Sequence, residues 1–166
     1  RLSTASLKHL AEEAGMRPGA KRITPRMERG SSAFHRGFLR GLFDADGSVQ
    51  GDQQKGVSVR LAQSDAGTLE SVQRMLLRLG IVAHVYLERR AAGTSRLPDG
   101  KGGERHYATR AQHELVISGE NLRRFADLVG FGDVDKATRL ADALARYRRA
   151  LNREPFTARV KALVAQ

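Results

Sequence analysis

A chain of 166 residues carries 29 Lys and Arg against 18 Asp and Glu, a formal net charge of +11, and has neither Cys nor Trp. That length suffices for one domain with a core, while the missing Cys excludes a disulfide scaffold, a thiolate zinc site and a cysteine nucleophile. No apolar run approaches a membrane span, the N-terminus has no signal-peptide h-region, and the basic excess points to a polyanion, most simply nucleic acid. The few aromatics weigh against single-strand binding by base stacking.

Ser3 or Thr4 can cap a short helix over 5–14, with Leu7, Leu10 and Ala11 on its apolar face. Gly15, Pro18 and Gly19 end it. The stretch 19–32 is basic, polar and interrupted by Pro25, and reads as a linker or surface segment. A helix over about 33–45 follows. Leu39, Leu42 and Phe43 fall at i, i+3 and i+4 and form an apolar stripe. Gly37 and Gly41 are four apart on another face, where a second helix can approach closely. The helix ends in Asp44 and Asp46, carboxylates placed where the helix dipole disfavours negative charge. Gly47 is expected to supply a left-handed cap. A helix able to pair with another, bringing a poorly placed acid to its tip, suggests a metal site. An EF-hand loop fits badly, because Gly47 follows Asp46 directly and leaves no third ligand position before it.

Strand candidates come next at 48–53 and 56–63. In the second, Val57, Val59 and Leu61 alternate with Ser58, Arg60 and Ala62. One face enters the core. The other presents Ser58, Arg60 and an end residue, Gln50 or Gln63, to solvent or nucleic acid. Ser64 or Asp65 caps a helix over 66–79, with Leu69, Val72, Leu76 and Leu79 as its core stripe and Gly80 as its stop. A third strand spans 81–90, with Val82, His84 and Tyr86 opposite Ala83, Val85 and Leu87. A fourth spans 112–118, with His113, Leu115 and Ile117 alternating. His84 and His113 are strand residues that face nucleic acid or each other, and no His spacing suits zinc. Between these strands lies a long Gly-rich connection, 89–111, carrying Arg89, Arg90, Arg96, Lys101, Arg105 and Arg110. So long a connection is usually functional or disordered, and its charge suits a flexible hairpin tip on phosphates. Helices over 120–129 and 134–151 close the pattern. Its order predicts an α+β fold with helices on one face of an antiparallel sheet.

Residues 39–47 resemble the nine-residue signature of the LAGLIDADG homing endonucleases. Arg40 stands where that family often has Ala, and Leu42-Phe43 are ordinary apolar variants. The resemblance covers about 33–151 and implies the family's αββαββα order, with a curved antiparallel sheet facing the DNA major groove. The expected division is then an N-terminal helix and basic linker (1–32), the endonuclease domain (33–152) and a C-terminal tail (153–166). Ile23-Thr24-Pro25-Arg26-Met27 resembles the stretch before the second signature motif of intein-borne endonucleases, and Phe156-Thr157-Ala158-Arg159-Val160 the return to a splicing domain. No splicing residues are found, so splicing is not expected.

The resemblance also implies roles. Asp46 matches the catalytic acid and metal ligand. The Ala45 carbonyl, at a helix end without an internal donor, is an additional ligand. The implied metal is Mg²⁺, which needs few carboxylates and keeps its waters. Gln63 matches the polar residue that positions water, though it also reads as a plain turn residue. Lys136, in Gly130-Phe131-Gly132-Asp133-Val134-Asp135-Lys136, matches the lysine near the scissile phosphate. Asp44 caps or orients the tip. Ser58, Arg60, His84 and the basic residues of 89–111 are the DNA contacts, and Gly37 and Gly41 line a dimer interface. One signature supplies one acid, so cutting both strands needs a homodimer or a second half. The implied activity is site-specific cleavage of duplex DNA, in the cytoplasm at the nucleoid. The alternatives are a non-catalytic binder on the same fold, such as an RNA maturase or DNA-binding regulator, and an inactive half of a two-motif intein enzyme.

Overall fold

The structure, a computed structural model, describes residues 4–13, 15–16, 22–52, 55–98, 100 and 102–146. Helix α1 covers Thr4–Glu13 and a single turn, α2, covers Pro25–Glu28. The long α3 covers Ser32–Asp46. Strands β1 (Gly47–Gln50) and β2 (Ser58–Gln63) lead to α4 (Ala66–Arg78). Then come β3 (His84–Arg90), β4 (Gly93–Pro98), β5 (Glu104–Thr109) and β6 (Gln112–Ser118). Helices α5 (Asn121–Leu128) and α6 (Val134–Arg146) close the described chain.

Local chemistry fixes the helix starts. Thr24 accepts from the Met27 N–H, with Pro25 at the first helical position, and Ser31 accepts from Phe34 N–H at 3.1 Å. Asp65 accepts from Gly67 N–H at 3.2 Å and from the Thr68 hydroxyl at 3.0 Å. Helix α4 stops at Gly80, whose φ of +74° lets Ile81 N–H return to the Leu76 carbonyl at 2.9 Å. The Gly47 expectation is corrected: its φ of −81° and ψ of 159° are extended. Glycine is needed there for another reason, since a Cβ would lie 2.6 Å from the Phe43 carbonyl oxygen.

One antiparallel sheet has the order β1-β2-β6-β3. Pairing of Gly47 with Leu61, of Leu61 with Leu115 and of Leu115 with Val85 puts these residues on one face, with Val59 and Ile117 beside them. The helices cover that face. Leu39, Phe43, Leu69, Val72, Leu76, Leu122 and Phe125 are fully buried against it. Each such side chain contributes about 1.5–3 kcal/mol. Phe43, Phe125 and Phe131 meet edge to face, with ring centroids 4.9 and 5.5 Å apart. The expected α+β architecture is present. The third strand starts later than expected, but Ile81 and Ala83 still enter the core ahead of it. The first strand stops at Gln50.

Two expectations need correction here. The segment before α3 is not merely a solvated connector. Met27 is buried, and its carbonyl lies 3.1 Å from His35 Nε2. Glu28 binds Arg74 at 2.8 Å and the Ser71 hydroxyl at 2.7 Å, and its carbonyl accepts from Arg78. Packing therefore continues across the boundary drawn at residue 32. The connection 89–111 is not structureless either: β4 and β5 pair from Gly93–Thr109 to Pro98–Glu104. Its β-branched and aromatic residues alternate weakly between glycines, which hid the ladder. Lys101 and the segment 156–160 lie outside the described residues.

Candidate nucleic-acid and metal site

The site begins at the C-terminal tip of α3, where the last carbonyls have no intrahelical donor. Lys136 supplies one: its ammonium donates to the Asp44 carbonyl at 2.5 Å and the Phe43 carbonyl at 3.3 Å. A cation at a helix C-terminus also offsets the dipole. Lys136 is held there by its own helix start, because Asp133 accepts from Lys136 N–H at 2.9 Å. Asp44 points back to the same turn, accepting from Gly132 N–H at 2.9 Å and Asp133 N–H at 3.1 Å. A Cβ on Gly132 would lie 2.8 Å from the Asp44 carboxylate, which would have to shift to admit it. Arg40, on the same helix, donates to the Val129 carbonyl at 2.7 Å. The α5–α6 turn thus clamps the tip, and Asp44 serves as its anchor.

Asp46 is different. It is exposed, and its one described side-chain partner is Gln63, which donates to Oδ2 at 2.7 Å. Gln63 pairs with His113 across the ladder, which places it on the helix-covered side and not on the outer face with Arg60. Being the last residue of β2, it reaches past the sheet end to Asp46. Asp46, Gln63 and Lys136, far apart in sequence, therefore gather around one helix tip.

Among the described residues no group of three or more His, Asp or Glu side chains converges to hold a metal ion. One chain offers the Asp46 carboxylate and the helix-end carbonyl of Ala45. These are hard oxygen donors, the type that Mg²⁺ takes.

The outer face of the sheet carries the expected contacts unevenly. One cross-strand row reads Ser48, Arg60, Val116, His84, and the next Ala62, Glu114, Tyr86. His84 is exposed there as expected. Ser58 is not: it is 5% exposed and lies beneath Arg60, accepting from its Nε at 2.9 Å. Glu114 receives Arg60 at 3.1 Å and Arg89 at 3.5 Å. Arg96 pairs with Glu104 at 2.7 Å within the hairpin. Arg90, Arg105 and Arg110 are exposed and have no carboxylate partner among the described residues. His113, on the helix-covered side with Leu115 and Ile117, accepts from Glu88 N–H at 3.0 Å, at a bulge where Glu88 has a φ of +50°. Glu114, Asp133 and Arg40 were missed from the sequence. Only Asp133 carried a signal, as an Asp at the start of a helical period.

The outer side of α3 is bare. Gly37 and Gly41 are exposed, and a Cβ at either would meet nothing within 4 Å. Phe34 and Phe38 stack beside them at 5.9 Å, and Phe34 is 40% exposed. No helix among the described residues is long and apolar enough to cross a membrane.

A family model described as a LAGLIDADG-like domain matches residues 33–130. The chain is 31% identical over 100 residues to the ribonucleoside-diphosphate reductase NrdEB subunit alpha of Bacillus subtilis (strain 168), covering 59% of this chain and 9% of that protein. It is 33% identical over 114 residues to a probable translation initiation factor IF-2 of Thermococcus kodakarensis, covering 68% of this chain and 8% of that protein. It is 31% identical over 127 residues to a DNA polymerase of Thermococcus hydrothermalis, covering 76% and 7%. The chain spans less than a tenth of the length of each of these three relatives.

Proposed function

The chain belongs to the LAGLIDADG-like domain family, and from that premise we propose that it is a site-specific endonuclease of duplex DNA, of the homing type. One observation carries the reading. Asp46 stands exposed at the tip of a helix whose outer side holds two glycines with open space above them. Glycine inside a helix costs about 1 kcal/mol relative to alanine. Among the described residues nothing approaches Gly37 or Gly41 closely enough to require it. A second signature helix packed there offsets that cost and brings a second Asp46 beside the first. The partner is another copy of this chain or a second half of a two-motif enzyme.

The division of labour follows. Asp46 and the Ala45 carbonyl would hold Mg²⁺, which would supply polarisation of a phosphate and ionisation of water at neutral pH. Gln63 orients Asp46 and donates toward water at the tip. Lys136 steadies the helix end and places positive charge behind the developing anion. Asp44 keeps the tip fixed to the α5–α6 turn. The outer sheet face and the arginines of the hairpin lie along the duplex, with Arg90, Arg105 and Arg110 free for phosphates.

The relatives favour an intein-borne origin. A reductase subunit, an initiation factor and a polymerase carry different names, yet each matches more than half of this chain. A unit carried into unrelated hosts accounts for that pattern. The test is cutting of a randomised long-duplex library in Mg²⁺, with binding followed in Ca²⁺. Discrete double-strand ends support the reading. Tight RNA or duplex binding without cutting in any metal favours a maturase or regulator.

A further inference from the structure

A nucleic-acid-facing sheet has no obvious use for a carboxylate at its centre, yet Glu114 is there and its side chain is only 13% exposed. It accepts from Arg60 Nη1 at 3.1 Å and from Arg89 Nε at 3.5 Å. Arg89 also lies over the Tyr86 ring, 5.7 Å from its centroid, and Tyr86 is the cross-strand partner of Glu114. On its other side Arg60 gives Nε to the buried Ser58 hydroxyl at 2.9 Å. Two fixed acceptors on adjacent nitrogens lock the guanidinium plane. Among the described residues nothing else bonds Arg60, so Nη2 and the second Nη1 hydrogen remain available.

We propose that Glu114 is a positioning residue that, with Ser58, fixes Arg60 to read one guanine in the major groove. The proposal rests on the duplex-binding function above. A planar guanidinium held at Nε and Nη1 still has both Nη2 hydrogens and the second Nη1 hydrogen, and its Nη1/Nη2 end can donate to guanine O6 and N7, the pairing that most often specifies G·C. Without Glu114, Arg60 and Arg89 are long, mobile cations that meet phosphates on any sequence. The carboxylate thus trades general affinity for discrimination at one base pair.

The experiment selects bound duplexes from a randomised library with the parent chain, then scores every position for the variants. Glu114→Ala and Ser58→Ala should each lower guanine preference at the same single position by about tenfold or more, leaving other positions unchanged. Arg60→Ala should erase preference at that position. Glu114→Ala should also tighten binding to random duplex, with the log–log salt slope steeper by about 0.9 per arginine released. Ser58→Ala, which changes no charge, should leave the slope alone. Glu114→Gln keeps an acceptor and should retain part of the preference, and it carries the test should Glu114→Ala fail to fold. Variants that lose thermal stability but keep the parent's base profile would make Glu114 a sheet salt bridge only, and overturn the proposal. Loss of a cytosine preference in Glu114→Ala that Arg60→Ala does not share would also overturn it. A parent that binds duplex with no salt dependence, or not at all, removes the duplex-reading function and this proposal with it, whereas a binding parent with an unchanged profile in the variants removes the proposal alone.

Discussion

Gln63 and Asp46, the last residues of β2 and α3, are joined by a 2.7 Å hydrogen bond from the Gln63 side-chain amide to Asp46 Oδ2. The bond leaves Asp46 Oδ1 without a described side-chain partner and restricts the rotation of the exposed carboxylate. Gln63→Ala should therefore slow cleavage about 10–100-fold, the usual effect of removing the group that orients a metal ligand. Duplex affinity should be unchanged. Single-turnover cutting in Mg²⁺ and gel shift in Ca²⁺ on the same preparation check both.

Lys136 and Asp44 should reveal themselves in stability as well as in rate. Lys136→Met takes the ammonium donor from the Asp44 carbonyl and leaves the Phe43 carbonyl with the Gly47 N–H. It should cost about 1–2 kcal/mol, the upper range for a cation at a helix C-terminus. Asp44→Ala leaves the Gly132 and Asp133 N–H groups without their acceptor. It should cost about 1–3 kcal/mol. Urea unfolding followed by circular dichroism measures these costs. A loss of cutting with no change in unfolding midpoint would place Lys136 at the phosphate and away from the helix end.

Assembly is tested at Gly41, where the chain itself leaves room. Gly41→Leu should leave the monomer as stable as the parent, or slightly more so, since glycine is a poor helix former. Between two packed helices the same bulk typically costs about 1–3 kcal/mol. Sedimentation should show the pair weakened at least about tenfold and double-strand cutting lost with it. An unaltered dimer would move the interface off α3.

The sequence made the scaffold readable wherever period and punctuation agreed. The apolar spacing of Leu69, Val72 and Leu76, the cap at Asp65 and the stop at Gly80 place α4 within a residue of its observed end. The tip was legible for the same reason: two acids before a glycine break the helix's own electrostatics. The hairpin was not, because the described side chains of β4 and β5 are exposed or half-buried, and exposed ladders leave no periodic trace. Ser58 was misjudged because alternation gives the side of a strand but not what lies over it, and here Arg60 covers Ser58. The buried His35, fixed on the Met27 carbonyl, went unseen since one polar residue in an apolar stripe has no signature. Glu114 is invisible for a related reason: its importance comes from Arg60 and Arg89, which arrive from other strands.

The clamp between α2 and α4 makes stability depend on acid. The Arg74 guanidinium beside Glu28, helped by the Ser71 hydroxyl, holds the Glu28 carboxyl at about 2, below its ordinary 4.5. A depressed carboxylate contributes its stability above the unfolded value and loses it as pH falls through the folded one. Arg74 is more than half exposed, so solvent screening limits the contribution to about 1 kcal/mol. Glu28→Gln should thus be less stable than the parent at pH 7 by roughly that amount. The gap should narrow below pH 4.5 and close near pH 2. Urea titrations across that range give the gap directly.

The central claim is that Asp46 is the chemical residue of the tip and Asp44 its anchor. Asp46→Asn keeps the shape and the Gln63 neighbour but removes the charge proposed to hold Mg²⁺. The decisive measurement is cleavage of a duplex bearing the selected site, parent against Asp46→Asn, in Mg²⁺, with binding in Ca²⁺ as the control. The account predicts a fall in cutting of at least about 1,000-fold, with binding equal or tighter because a negative charge facing phosphates is gone. Asp46→Asn cutting at the parental rate would contradict it and leave the endonuclease reading without its chemistry.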